Sequence, residues 1–227
     1  MHKAILSMLT LLAAMLHAGG SAHAQPAMFD VAPDCDEPGQ FDTIVAAVDG
    51  AMHHLAEVDK VVSSSPDQFN SAFANAFGAW DTNTEEGQWA LIIFAVNYAN
   101  IRPLLTNTPG VGISSGPPPS WPLVSFRCAT AARGDVVAEK FDGKIVLYPL
   151  FFDNNRVPFI GRYDRVEASR VGTVLHECIH LLGGPKDIQE GGRTAEVQAE
   201  QLALNKDPRA VSNAENYERF FMSWPFQ

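Results

Sequence analysis

The sequence predicts an α+β fold with a helical N-terminal half, a small mixed sheet with an antiparallel edge strand, and a C-terminal half returning to helix. Three observations predict it. Apolar residues recur at spacings of three and four in the first half, the period of helices with one buried stripe. Short β-type runs bounded by turn residues follow only after Pro122. Helical periodicity resumes from Asp164, and strands segregated from helices in this way read as α+β.

Lys3 precedes an apolar run from Ala4 to Leu16, followed by small residues from Ala18 to Ala24. That is the layout of a secretory signal peptide, with Ala22-His23-Ala24 as an A-x-A cleavage signal. At 13 residues the run is too short for a permanent membrane helix. The expectation is therefore a leader over 1–24, a secreted or periplasmic location, and one soluble domain over 25–227. The 46% hydrophobic composition suits a single globular core. A net charge of −10 argues against nucleic acid or anionic membrane as partner, because both need a basic face.

Within the first half, Phe41, Ile44, Val45, Val48, Met52, Leu55 and Val58 outline one helix. Ser65-Pro66 then offers a cap and an N1 proline to a second helix, whose Phe69, Phe73 and Phe77 share one stripe and are expected in the core. A third helix is expected from Glu86 to Ile101, ending at Arg102-Pro103. From about 106 to 122 the chain is rich in Pro, Gly and Ser and reads as a long loop.

Beyond that loop, strands are expected at Leu123–Cys128 and Asp135–Phe141, then, after the turn Asp142-Gly143, over Lys144–Phe152, at a sheet edge or near its end at Pro149, which cannot donate to a ladder. A helix pattern runs from Asp164 to a Gly183-Gly184 cap. Thr194 is positioned to cap another helix reaching about Asn205. In an oxidising compartment Cys35 and Cys128 can pair, tying the N-terminal segment to the strands.

The chemistry concentrates in His176-Glu177-Cys178-Ile179-His180. Residues four apart share a helical face, so both imidazoles can reach one Zn²⁺ while the glutamate reaches its water as general base. Cys178, two positions on, points roughly 160° away from His176 on a helix and reads as a buried structural thiol. Catalytic zinc usually takes a third protein ligand. No histidine follows His180, which leaves Asp187, Glu190, Glu196 and Glu200 as candidates. Glu196 leads, because the first turn of the helix capped by Thr194 should face the last turn of the HExxH helix. His53-His54 point to different sides of their helix and read as surface or core. Trp80, Trp89, Trp121 and Trp224 read as packing.

Over roughly its last 85 residues the chain resembles the aspzincin peptidases, the deuterolysin and peptidyl-lysine metallo-endopeptidase group. The likeness rests on the strand Ile145 to Phe152, on the segment Gly172 to His180, and on Asp207-Pro208-Arg209-Ala210-Val211-Ser212-Asn213-Ala214-Glu215-Asn216-Tyr217-Glu218. It implies His176 and His180 as zinc ligands, Glu177 as catalytic base, and a zincin-like fold binding peptide along its edge strand. That family draws its third ligand from the aspartate of a G-T-x-x-D-x-x-Y-G pattern, nothing between Gly183 and Gln201 is read as matching it, and its tyrosine is missing; Tyr217 and Tyr148 are the candidate replacements as oxyanion partner. Glu196-Val197-Gln198-Ala199-Glu200 is closer to the E-x-x-A-[D/E] helix of glutamate zincins, so Glu196 is retained.

The expected activity is that of a secreted zinc metallo-endopeptidase acting on a protein or peptide substrate. Two other readings stand beside it: a catalytically degenerate zincin that binds a partner, and a zinc amidase acting on cell-wall peptides.

Overall fold

The computed structural model describes residues 26–81, 83–110, 121–160, 168–183, 187–188 and 194–224. The expected leader, part of the 106–122 loop and Glu190 lie outside them. The order is β1 (Phe29–Val31), α1 (Gln40–Ser64), α2 (Pro66–Phe77), α3 (Glu85–Thr106), β2 (Val124–Cys128), β3 (Ala138–Phe141), β4 (Lys144–Leu147), α4 (Arg170–Leu181), α5 (Ala195–Leu204) and α6 (Ala214–Met222). Short 3-10 turns occupy Pro149–Phe152 and Pro208–Ser212. The α+β class and the helical first half are as expected.

The sheet runs β1-β2-β4-β3. β1 and β2 pair in parallel, as do β2 and β4, while β3 lies antiparallel to β4 with Ala138 opposite Leu147 and Phe141 opposite Lys144. The antiparallel edge strand is therefore β3. The expected Lys144–Phe152 strand stops at Leu147 and is internal: Pro149, lacking an N–H, opens the 3-10 turn instead. β1 carries no legible signal, being three residues whose partners lie 95 positions downstream. A Cys35–Cys128 disulfide fastens the chain leaving β1 to the end of β2.

Pro103 does not end α3, which continues to Thr106. Leu104 and Leu105 are fully buried, and their burial, each stabilising by about 1.5–3 kcal/mol, offsets the backbone bond that the proline forgoes. The Phe69, Phe73 and Phe77 stripe is in the core, where it meets Phe94, Tyr217 and Phe220. This aromatic cluster joins α2, α3 and α6, and α4 packs against α3 and α6. Trp224 is buried, but Trp89 is half exposed. Among the described residues no helix is long and apolar enough to cross a membrane.

His54 is buried on α1 and its Nε2 meets the Phe221 carbonyl at 2.5 Å, tying α1 to α6. Burial lowers its pKa, against the opposing pull of that carbonyl. The unfolded chain, with an ordinary histidine pKa near 6.5, then binds a proton that the folded chain refuses, so this contribution to stability is present above pH ~6.5 and is lost as pH falls toward the folded pKa. Urea titrations from pH 7.5 to 5.5 are expected to show a loss of at most about 1.4 kcal/mol per pH unit from this group. His54→Gln should flatten that slope; an unchanged slope would assign the dependence elsewhere.

Candidate metal centre

Ser169 caps α4, its Oγ accepting from the Gly172 N–H at 3.1 Å. The helix therefore opens at Arg170, since a capping serine terminates it on that side; the expected start at Asp164 lies outside the described residues. From Arg170 to Ile179 every residue of α4 is buried, so the His176–His180 face opens into the protein. Cys178 is fully buried with its pKa pushed up by burial, which makes it an inert thiol, as expected.

His176 Nε2 and His180 Nε2 lie 3.1 Å apart. Asp187 joins them: its Oδ1 is 3.3 Å from His176 Nε2 and its Oδ2 is 3.3 Å from His180 Nε2. Ligand atoms around a tetrahedral zinc with bonds of about 2.0–2.1 Å are separated by about 3.3–3.4 Å. Each histidine nitrogen therefore stands about that far from the other and from one Asp187 oxygen, the three ligand atoms lie within 4.8 Å of one another, and they are of the types zinc takes. Glu177, next to His176 in sequence, is 4% exposed, and its Oε2 has no hydrogen-bond partner among the described residues. An acceptor buried in that state is costly and suits a group that handles water protons.

The electrostatics follow from crowding. Desolvation raises the pKa of Glu177, opposed by His176 and His180. Burial works against charge on His176, but Asp187 and Glu218 outweigh it and hold the imidazolium well above its usual range. The same histidines hold Asp187 well below the carboxylate range despite its burial. On the other side of His176, Nδ1 lies 3.1 Å from Glu218 Oε2 and 3.7 Å from Glu215 Oε2. The Glu218 approach is off the N–H direction, since Nδ1 makes no aligned hydrogen bond among the described residues. It remains a charge contact of the carboxylate–histidine kind that orients metal ligands. Gly172 permits it, because a Cβ there would stand 2.5 Å from Glu218 Oε1. Burial, followed by repulsion from Glu218, raises the pKa of Glu215.

Two groups of ligand-capable atoms emerge among the described residues: His176, His180 and Asp187, and His176, Glu215 and Glu218. Glu196 belongs to neither. It is in the first turn of α5, near enough to Glu215 to add to its repulsion, and Glu200, one turn on, is exposed. The physical reason is the turn after α4. Gly183 adopts φ of +85° at the end of α4, a left-handed step of the kind that ends helices, and Asp187 stands beside the histidines before α5 begins.

Asp187 had a sequence signal that is visible in hindsight. Gly183, Asp187 and Gly191 keep the spacing of G-T-x-x-D-x-x-Y-G, with Gly184 and Glu190 in place of its threonine and tyrosine. Neither proposed tyrosine substitute is free for the site. The Tyr217 hydroxyl is buried, donating to the Val211 carbonyl and accepting from Asn97, and the Tyr148 hydroxyl donates to Glu139.

No protein-family model matches the chain, and no curated sequence matches it. A solved structure does: a zinc peptidase from Grifola frondosa, with 21% identity, a TM-score of 0.58, and coverage of 82% of this chain and 96% of that one. The two share a fold. Coverage of that extent reaches well beyond the last 85 residues that carry the sequence resemblance and takes in much of the helical first half.

Proposed function

We propose that this chain is a secreted zinc metallo-endopeptidase. The observation that carries the reading is the convergence of His176 Nε2, His180 Nε2 and the Asp187 carboxylate at 3.1–3.3 Å beside a buried Glu177. Asp187 takes the third-ligand role in place of Glu196. A zinc ion held there supplies Lewis acidity toward a peptide carbonyl and makes water a better nucleophile near neutral pH.

Glu177, buried beside His176 with its Oε2 unpartnered among the described residues, takes a proton from the attacking water and delivers it to the departing amine. Glu218 stands 3.1 Å from His176 Nδ1 as a charge partner of the ring. β3 has no strand partner on its outer side among the described residues and packs near α4, so an extended substrate can add to that edge by backbone pairing. The shared fold with a zinc peptidase supports this reading. The leader-like N-terminus and the Cys35–Cys128 bridge support export to an oxidising compartment.

The test is metal analysis of the chain purified without chelator, with hydrolysis of a denatured protein followed before and after chelation. One zinc per chain and proteolysis that chelation abolishes and zinc restores are expected. Zinc without turnover would favour a binding protein, turnover of cell-wall peptides alone would favour an amidase, and a chain that holds no zinc would overturn the proposal.

A further inference from the structure

Asn213 occupies the N-cap position of α6, a place its residue type favours because the side chain can accept from the first free N–H groups. It makes no such cap. Instead its Oδ1 accepts from the backbone N–H of Ile188 at 3.0 Å, across 25 positions of sequence, and the residue is fully buried. Ile188 directly follows Asp187.

The amide is itself held from behind. Asn216 Nδ2 donates to the carbonyls of Ala76, at 2.6 Å, and Ala199, at 2.9 Å. Carbonyls only accept, so that orientation is forced; Asn216 Oδ1 must then accept, and it does so from Asn213 Nδ2. This leaves Asn213 with its oxygen toward an N–H that can only donate. The polarity of the chain is thus fixed from α2 and α5 to the residue beside Asp187. A buried amide with each bond directed this way is costly to disturb.

We infer that Asn213 is a positioning residue for the metal centre, holding the segment that carries Asp187 at ligand distance from His176 and His180 through the Ile188 N–H. The inference rests on the reading of Asp187 as third ligand. Through this link the rigid contact between α2, α5 and α6 fixes a ligand that stands in a loop.

The experiment is a cycle of Asn213→Ala, Asp187→Ala and the double variant in the full chain, reading zinc affinity by competition with a chromogenic chelator. Thermal unfolding of the zinc-free forms is measured in parallel. Asn213→Ala is expected to weaken zinc about 10–100-fold, the range for groups that orient metal ligands. In the Asp187→Ala background it should add almost nothing, because a residue acting through Asp187 has nothing left to position. A merely structural role would add its loss in both backgrounds, and that result overturns the inference, as does unchanged affinity in Asn213→Ala. Unchanged affinity in Asp187→Ala would overturn the metal-centre reading itself, and the positioning role with it. Asn213→Ser, which keeps a helix-capping side chain, replaces the alanine variant if that does not fold; failure of both to fold would mark Asn213 as structural and overturn the proposal.

Discussion

Glu177→Gln is expected to lower kcat/KM for a protein substrate by about 10²–10⁴-fold, the range that a positioned general base contributes, while zinc content stays at the wild-type level. The substitution keeps shape and removes only the ability to take a proton. Glu177 stands apart from the groups of ligand-capable atoms at this site, so metal retention follows from the geometry. Stability should rise slightly or hold, because a buried carboxylate whose pKa is raised by desolvation is replaced by a neutral amide that costs less to bury. Steady-state kinetics with metal analysis of the same preparation checks both halves. Loss of zinc together with activity would make Glu177 a ligand, and retained activity would remove it from the chemistry.

The second large effect separates the two carboxylates proposed for one role. Asp187→Ala is expected to weaken zinc by about 100-fold or more, since a ligand should cost at least as much as the groups that orient ligands. Glu196→Ala should leave affinity close to wild type. Asp187 stands 3.3 Å from each histidine's Nε2, one oxygen to each, whereas Glu196 belongs to neither group of ligand-capable atoms among the described residues and adds to the repulsion on Glu215. Isothermal titration of zinc into the metal-free variants decides between them, and the reverse order of losses would restore Glu196 to the site.

The HExxH helix was legible in the sequence because its information is local. Two histidines four apart need only a helix to share a face, and Ser169, the buried stripe and the positive-φ Gly183 are all within a few residues of them. Cys178 was legible for the same reason. The aromatic stripe of α2 and the Asp142-Gly143 turn that joins β3 to β4 are likewise short-range patterns. The place of Asp187 beside the histidines was not legible: it goes with a bond from the Ile188 N–H to Asn213, 25 residues away, which no local pattern announces. β1 and the internal place of β4 failed for the same reason, since strand neighbours are set by partners distant in sequence.

By itself, then, the sequence determined the α+β class and the helix that presents His176, Glu177 and His180. Each follows from periodicities of three to four residues that local hydrogen bonding enforces. The tertiary structure alone decided that Asp187 rather than Glu196 stands beside the two histidines, that Glu218 approaches His176 over Gly172, and that β3 rather than β4 lies at an edge of the sheet. Those are outcomes of packing between segments far apart in the chain, where burial and backbone pairing choose among partners that the sequence leaves equivalent.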